Sequence, residues 1–246
     1  MFKLALRQLE GFLTSLFDML QIKLRVPEFS RLSRRMVGTF SNIKFPSPDE
    51  NIHIVIDSSG LKVYGEKEWI ETKKGKKYAR KVWRKIHIGI DGKGHIKASK
   101  MTSHKTDDRA CFPGLIDQVG SSFIDEALAD SGYDSHNSYH QCHQRHIHTI
   151  IPPPKNARIS CTRKNASEER NKTITYINKK GIHAWKAKNN YGRRNRVENT
   201  FYRLKTIFGR QFLSRTWERQ EVELPLMCDI LNKMTLLGMP TSVKVG

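Results

Sequence analysis

The chain has 246 residues, with 44 Lys and Arg against 24 Asp and Glu and a formal net charge of +20. That length suits one large domain or two small ones with a proper apolar core, and no apolar run approaches the ~20 residues a helix needs to span a bilayer. A charge this positive predicts a polyanionic partner, because each Lys or Arg that meets a phosphate releases condensed counterions.

Residues 1–24 place Leu6, Leu9, Leu13, Leu16 and Leu20 at helical spacing and predict an amphipathic helix. Residues 26–35 read as a turn into a short basic segment, and the two prolines of 44–50 read as a linker. Residues 1–45 therefore form an N-terminal helical region, and the main domain spans 50–240. Its first strand is 52–57, where Ile52, Ile54 and Ile56 alternate against His53, Val55 and Asp57 before the small residues Ser58, Ser59 and Gly60. Residues 82–91 alternate in the same way, Asp91 to Gly94 is a hairpin turn, and 95–102 returns as a strand. Asp107 and Asp108 read as the N-cap pair of a helix reaching Gly120. A strand at 123–130 ends at Asp130, a helix capped by Asp134 follows over 134–146, and 148–154 is a further strand.

Residues 155–190 are polar and basic, with no assigned element. A helix over 191–208 and a last amphipathic helix over 221–238 complete the chain. This order predicts an α/β layer fold, helices over a central sheet. The four cysteines, Cys111, Cys142, Cys161 and Cys228, contain no CxxC pair and there is no secretory signal, so reduced thiols in a cytoplasm are the simplest reading. Cys142 and its neighbouring histidines match no common zinc spacing. No Gly-rich phosphate loop is present, so nucleotide hydrolysis is not indicated.

The charge is concentrated in two runs. Lys155 to Arg219 holds 18 Lys and Arg against 4 acids, and Lys62 to Lys85 holds 10 against 3. Two basic runs flanking strand ends point to a nucleic-acid path, although any one of them also reads as a solvated face. Within the first lies Glu198, surrounded by arginines. On a helical wheel Tyr191, Arg194, Glu198 and Lys205 share an arc of about 60°, beside a buried stripe of Val197, Phe201, Leu204 and Phe208. Alone, Arg194 and Glu198 read as an ordinary i, i+4 pair. Asp57 and Asp130 supply the alternative, since each ends an apolar strand, where α/β sheets form ligand sites. Three carboxylates of this kind suit two Mg²⁺ or Mn²⁺ ions about 4 Å apart.

The spacing Tyr191-x2-Arg194-x3-Glu198-x6-Lys205 resembles the signature around the last acid of bacterial insertion-sequence DDE transposases, the Tyr-Arg-Glu-Lys group. The stretches HIVIDSSGLKVYGEKEW, WRKIHIGID, ALADSGYDS and IIPPPKNAR are similar to one group within that family. The resemblance implies a ribonuclease H-like mixed sheet with flanking helices, and a metal-dependent enzyme that cleaves DNA at element ends and transfers the strands. By position it implies Asp57, Asp130 and Glu198 as the catalytic and metal-binding triad, with two Mg²⁺ ions, for which Mn²⁺ substitutes. It implies DNA contacts from Tyr191, Arg194 and Lys205. The basic runs add Arg193, Arg196, Arg203, Lys73, Lys74, Lys76, Lys77 and Arg84. The implied partner is double-stranded DNA, both terminal inverted repeats and target, bound by a homodimer in a bacterial cytoplasm at the nucleoid. Residues 155–190 become a short basic insertion, and the N-terminal region reads as shortened. A non-catalytic DNA-binding remnant and a nuclease of the same fold are the alternatives.

Overall fold

The computed structural model describes residues 4–39, 51–71, 77–120, 124–160 and 165–238. Six strands form one mixed sheet: β1 (Ile52–Glu71), β2 (Lys77–Ile90), β3 (Ile96–Ser103), β4 (Ile124–Leu128), β5 (His148–Ile150) and β6 (Gln211–Phe212). The order across the sheet is β3-β2-β1-β4-β5. β1, β2 and β3 pair antiparallel, whereas β4 and β5 join parallel to β1, and β6 pairs with the distal part of β1. This is the mixed sheet with flanking helices anticipated above.

Alternation along β1 explains the two cores. Ile54 and Ile56, both 0% exposed, face a cluster with Ala98, Phe112, Leu115, Ala127 and Tyr139. Helices α3 (Phe112–Val119) and α4 (His136–Gln144) supply that layer. Val55 and Leu61 face the other cluster, built with Val197, Leu204, Leu224 and Leu231 from α7 (Asn195–Phe208) and α8 (Trp217–Leu236). The edge strand β3 is pegged to α8 by Asn232, whose side chain accepts from Ile96 N at 2.7 Å and donates to Ile96 O at 2.8 Å. The buried amide thus gives that edge its backbone partners.

Several boundaries differ from the sequence expectation. β1 does not stop at Ser58-Ser59-Gly60 but continues to Glu71, still paired with β2. Gly60 works there as a strand residue, because a β-carbon on it would lie 3.0 Å from the Trp83 ring, which packs over the bare backbone. The segment read as a basic turn is helix α2 (Phe29–Thr39), joined to α1 (Leu6–Met19) by a bond from Phe29 N to Glu10 Oε2 of 2.8 Å. The basic insertion is helical: α5 (Asn165–Lys180) and α6 (Ile182–Lys188) fill most of it. Its polar composition hid them, since little apolar periodicity marks α5. Asp107 caps only a 3-10 turn at Asp108–Ala110, and α3 begins after it at Phe112. α8 begins at Trp217, so Pro225 lies inside the helix. The 44–50 linker lies outside the described residues.

Candidate active site

Asp57 sits within β1 where the parallel neighbour β4 runs out, since Val55 opposes Leu128, the last residue of β4. Strand alternation puts it on the α7 face, with Val55. It is 7% exposed. Its Oδ1 accepts from Ser58 N at 2.8 Å and its Oδ2 from Arg194 Nη2 at 2.7 Å. Burial pushes the Asp57 carboxyl above its ordinary value. Arg194 and the Ser58 N–H pull it down, and the charges of Asp130 and Glu198 push it up again. The three acids are therefore electrostatic neighbours.

Asp130 lies two residues beyond β4. It caps the 3-10 turn Ser131–Tyr133 through a bond from Gly132 N to its Oδ1 of 2.9 Å. The preceding carbonyl, of Ala129, accepts from the Tyr191 hydroxyl at 3.0 Å. Glu198 projects from the first turn of α7, with its side chain 55% exposed. Arg194 connects it to the strand: Nη1 donates to Glu198 Oε1 at 3.0 Å while Nη2 holds Asp57. About two turns further along α7, Lys205 Nζ lies 2.6 Å from Ser59 Oγ. Burial, and then the charge of Arg210, lowers the Lys205 ammonium below its ordinary value.

Among the described residues, no three His, Cys, Asp or Glu side chains are gathered as a ready-made ion cage. A guanidinium stands between Asp57 and Glu198 instead. The donor chemistry nevertheless fits a hard divalent cation. All three groups offer carboxylate oxygen, and Asp57 carries an ionisation cost from burial and from its two like-charged neighbours that a cation would relieve.

The helix begins later than the expected 191–208: Tyr191–Arg194 is a 3-10 turn and α7 starts at Asn195, so Tyr191 leaves the arc drawn for it. From there the apolar stripe holds, with Val197, Phe201 and Leu204 buried and Phe208 packed against the same core, while Arg194 and Lys205 reach β1. Other residues expected to meet DNA are engaged elsewhere. Tyr191 is 8% exposed and packs its ring 5.5 Å from that of Trp185. Arg193 pairs with Glu126 at 2.7 Å, Arg196 donates to the Gly92 carbonyl, and Arg203 donates to Thr235 Oγ1 at 3.0 Å. Arg84 donates to Gln220 and lies over the Trp217 ring. Lys73, Lys74, Lys76 and the side chain of Lys77 lie outside the described residues.

Three residues around the site were not legible in these roles. Ser58 and Ser59 read as turn formers, and only continued alternation past Asp57 would have marked them as strand positions facing opposite sides. Asp134, expected to cap α4, leaves that task to Ser135, whose Oγ accepts from Ser138 N at 3.0 Å. Asp134 instead takes a two-pronged bond from Arg170 of α5, at 2.9 and 2.7 Å. No local spacing signals a pair 36 residues apart.

Residues 48–232 match the family described as the transposase DDE domain, and residues 1–66 match a second family of the same description. Among solved structures, the chain is similar to piggyBac transposase in a cryo-EM synaptic complex with hairpin DNA, at 14% identity and a TM-score of 0.42. That likeness covers 89% of this chain and 57% of the other, so the chain spans little more than half the length of that protein. Among the described residues no helix is long and apolar enough to cross a membrane. With the family match extending over most of its length, the chain belongs to the transposase DDE domain family.

Proposed function

We propose that this chain is a DNA transposase, and that Asp57, Asp130 and Glu198 form its acidic, divalent-cation site. The observation that carries the reading is the Arg194 fork, which ties Asp57 to Glu198 from opposite ends of the domain at 2.7 and 3.0 Å. A bound Mg²⁺ or Mn²⁺ would supply Lewis acidity, activating an attacking oxygen and stabilising a departing one. The protein's own groups do the rest. Asp57, buried at the sheet face, and Asp130, fixed by its turn, give two rigid oxygens. Glu198, more exposed, gives a third that moves with its side chain. Arg194 Nε is buried without a partner, which costs about 1–3 kcal/mol. Swinging the guanidinium onto a backbone phosphate would recover that and free both carboxylates. Lys205, half-buried against Ser59, would steady the same phosphodiester.

The test mixes purified protein with an element-end duplex and Mg²⁺ or Mn²⁺. Nicking followed by strand joining is the expected result. Nicking without joining would make the chain a nuclease, and binding without nicking would make it a DNA-binding remnant. Either result overturns the proposal.

A further inference from the structure

Resting on that reading of the acidic site, we propose that Asp108 is a positioning residue that sets the relation of Asp57 to Asp130 from the opposite face of the sheet. Ser58 links Asp108 to Asp57. It follows Asp57 in β1, so its side chain faces the other side of the strand. Its N–H donates to Asp57 Oδ1 at 2.8 Å, while its hydroxyl donates to Asp108 Oδ2 at 3.0 Å. One residue therefore joins the two carboxylates through the sheet.

The other oxygen of Asp108 is fixed on β2. Lys85 Nζ lies 2.6 Å from Asp108 Oδ1 and also donates to the Thr106 carbonyl at 2.8 Å. This pair is mostly buried, with side chains 17% and 20% exposed. The ammonium neutralises the Asp108 charge, which suits a positioning role better than that of an ion ligand.

Asp108 also reaches the turn of Asp130. The 3-10 turn Asp108–Ala110 packs against the turn Ser131–Tyr133. A β-carbon on Gly132 would stand 3.0 Å from Asp130 Oδ1 and 3.7 Å from Asp108 Oδ2, so both carboxylates flank that point and a side chain there would press on Asp130. Tyr133, fully buried, continues the contact inward. Its hydroxyl lies 3.0 Å from His87 Nδ1, and His87 Nε2 lies 3.0 Å from Thr102 Oγ1. An ionised Asp108 can only accept. Ser58 therefore donates to it, which fixes the hydroxyl behind Asp57.

The experiment measures Mn²⁺ binding to the DNA-free protein by electron paramagnetic resonance, with Asp57→Ala as the reference. Loss of outer hydrogen-bond partners typically costs 10–100-fold in metal affinity. Asp108→Ala and Ser58→Ala are each expected to weaken Mn²⁺ binding by at least about 10-fold, and the double variant no further than the weaker single one. Ser58→Thr, which keeps the hydroxyl, is expected to bind as the parent does. Should Asp108→Ala fail to fold, the two Ser58 variants decide alone. Parental Mn²⁺ affinity in Ser58→Ala or in folded Asp108→Ala, with binding lost in Asp57→Ala, overturns the inference and spares the acidic site. Unchanged binding in Asp57→Ala overturns the site and the inference together.

Discussion

Arg194 donates to Asp57, 137 residues earlier in the chain, and to Glu198, four residues later, with one guanidinium. The fork packs α7 onto β1 at the point where β4 ends. It also holds a positive charge where the proposed site needs a cation. Arg194→Gln is therefore predicted to strengthen Mn²⁺ binding by the DNA-free protein, since the competing charge is gone. DNA nicking should fall by 10-fold or more (~1.4 kcal/mol), because the phosphate contact goes with it. Calorimetric Mn²⁺ titration beside a nicking assay checks both; weaker ion binding in the variant would show that Arg194 supports the ion rather than excluding it.

Asp57 carries a stability cost. Its folded carboxyl is raised above its ordinary value of 3.8, chiefly by burial. A raised acid disfavours folding once ionised. The penalty is absent below pH 3.8, grows through the interval up to the folded value, and is complete above it. Asp57→Asn should thus melt no lower than the parent at pH 7, and the gap should close as the pH falls toward 4. Activity should vanish. Saturating Mn²⁺ should stabilise the parent, as any ligand of the native state does, by about 2.7 kcal/mol at a hundredfold excess over Kd, and so raise its melting temperature while leaving that of Asp57→Asn unmoved. Thermal melts across pH, with and without Mn²⁺, decide this.

Tyr191 was expected at the DNA but lies under the site, with its hydroxyl on the Ala129 carbonyl beside Asp130. Tyr191→Phe should cost about 1 kcal/mol of stability, the net value of one such bond, and reduce nicking. The salt dependence of DNA binding should stay unchanged. A slope flatter by about one unit would instead mark a lost phosphate contact.

Asp134 and Arg170 form a buried ion pair that fastens α5 to the loop following Asp130, with side chains 1% and 10% exposed. Asp134→Ala strands the guanidinium and should destabilise by about 3–5 kcal/mol. Urea unfolding of the two single variants and of Asp134→Leu/Arg170→Met tests it, since the paired apolar replacement should recover most of the loss.

The first half of β1 and the body of α7 were legible because their signals are local. Alternation marks β1 around Asp57, and the apolar stripe from Val197 to Leu204 marks α7. What stayed hidden depends on partners far away in sequence. The length of β1 beyond Gly60 rests on Trp83 of β2 covering that glycine. The helix α5 is fastened by Asp134 and by bonds such as Asn171 with Ser160, and its apolar contacts, from Ile174, Tyr176 and Ile177, are confined to one short stretch. Exposure separates the arginines likewise: Arg193 and Arg203 look like phosphate contacts in sequence, but Glu126 and Thr235 take them up.

The central claim is that Asp57, Asp130 and Glu198 share divalent cations. Crystals of the protein soaked in Mn²⁺ and measured at the manganese absorption edge test it most directly. The account predicts an anomalous peak within bonding distance of carboxylate oxygens from Asp57 and Asp130, strengthened by Glu198 when Arg194 has swung aside. Manganese bound elsewhere, with these three carboxylates bare at a concentration that saturates nicking, would contradict it.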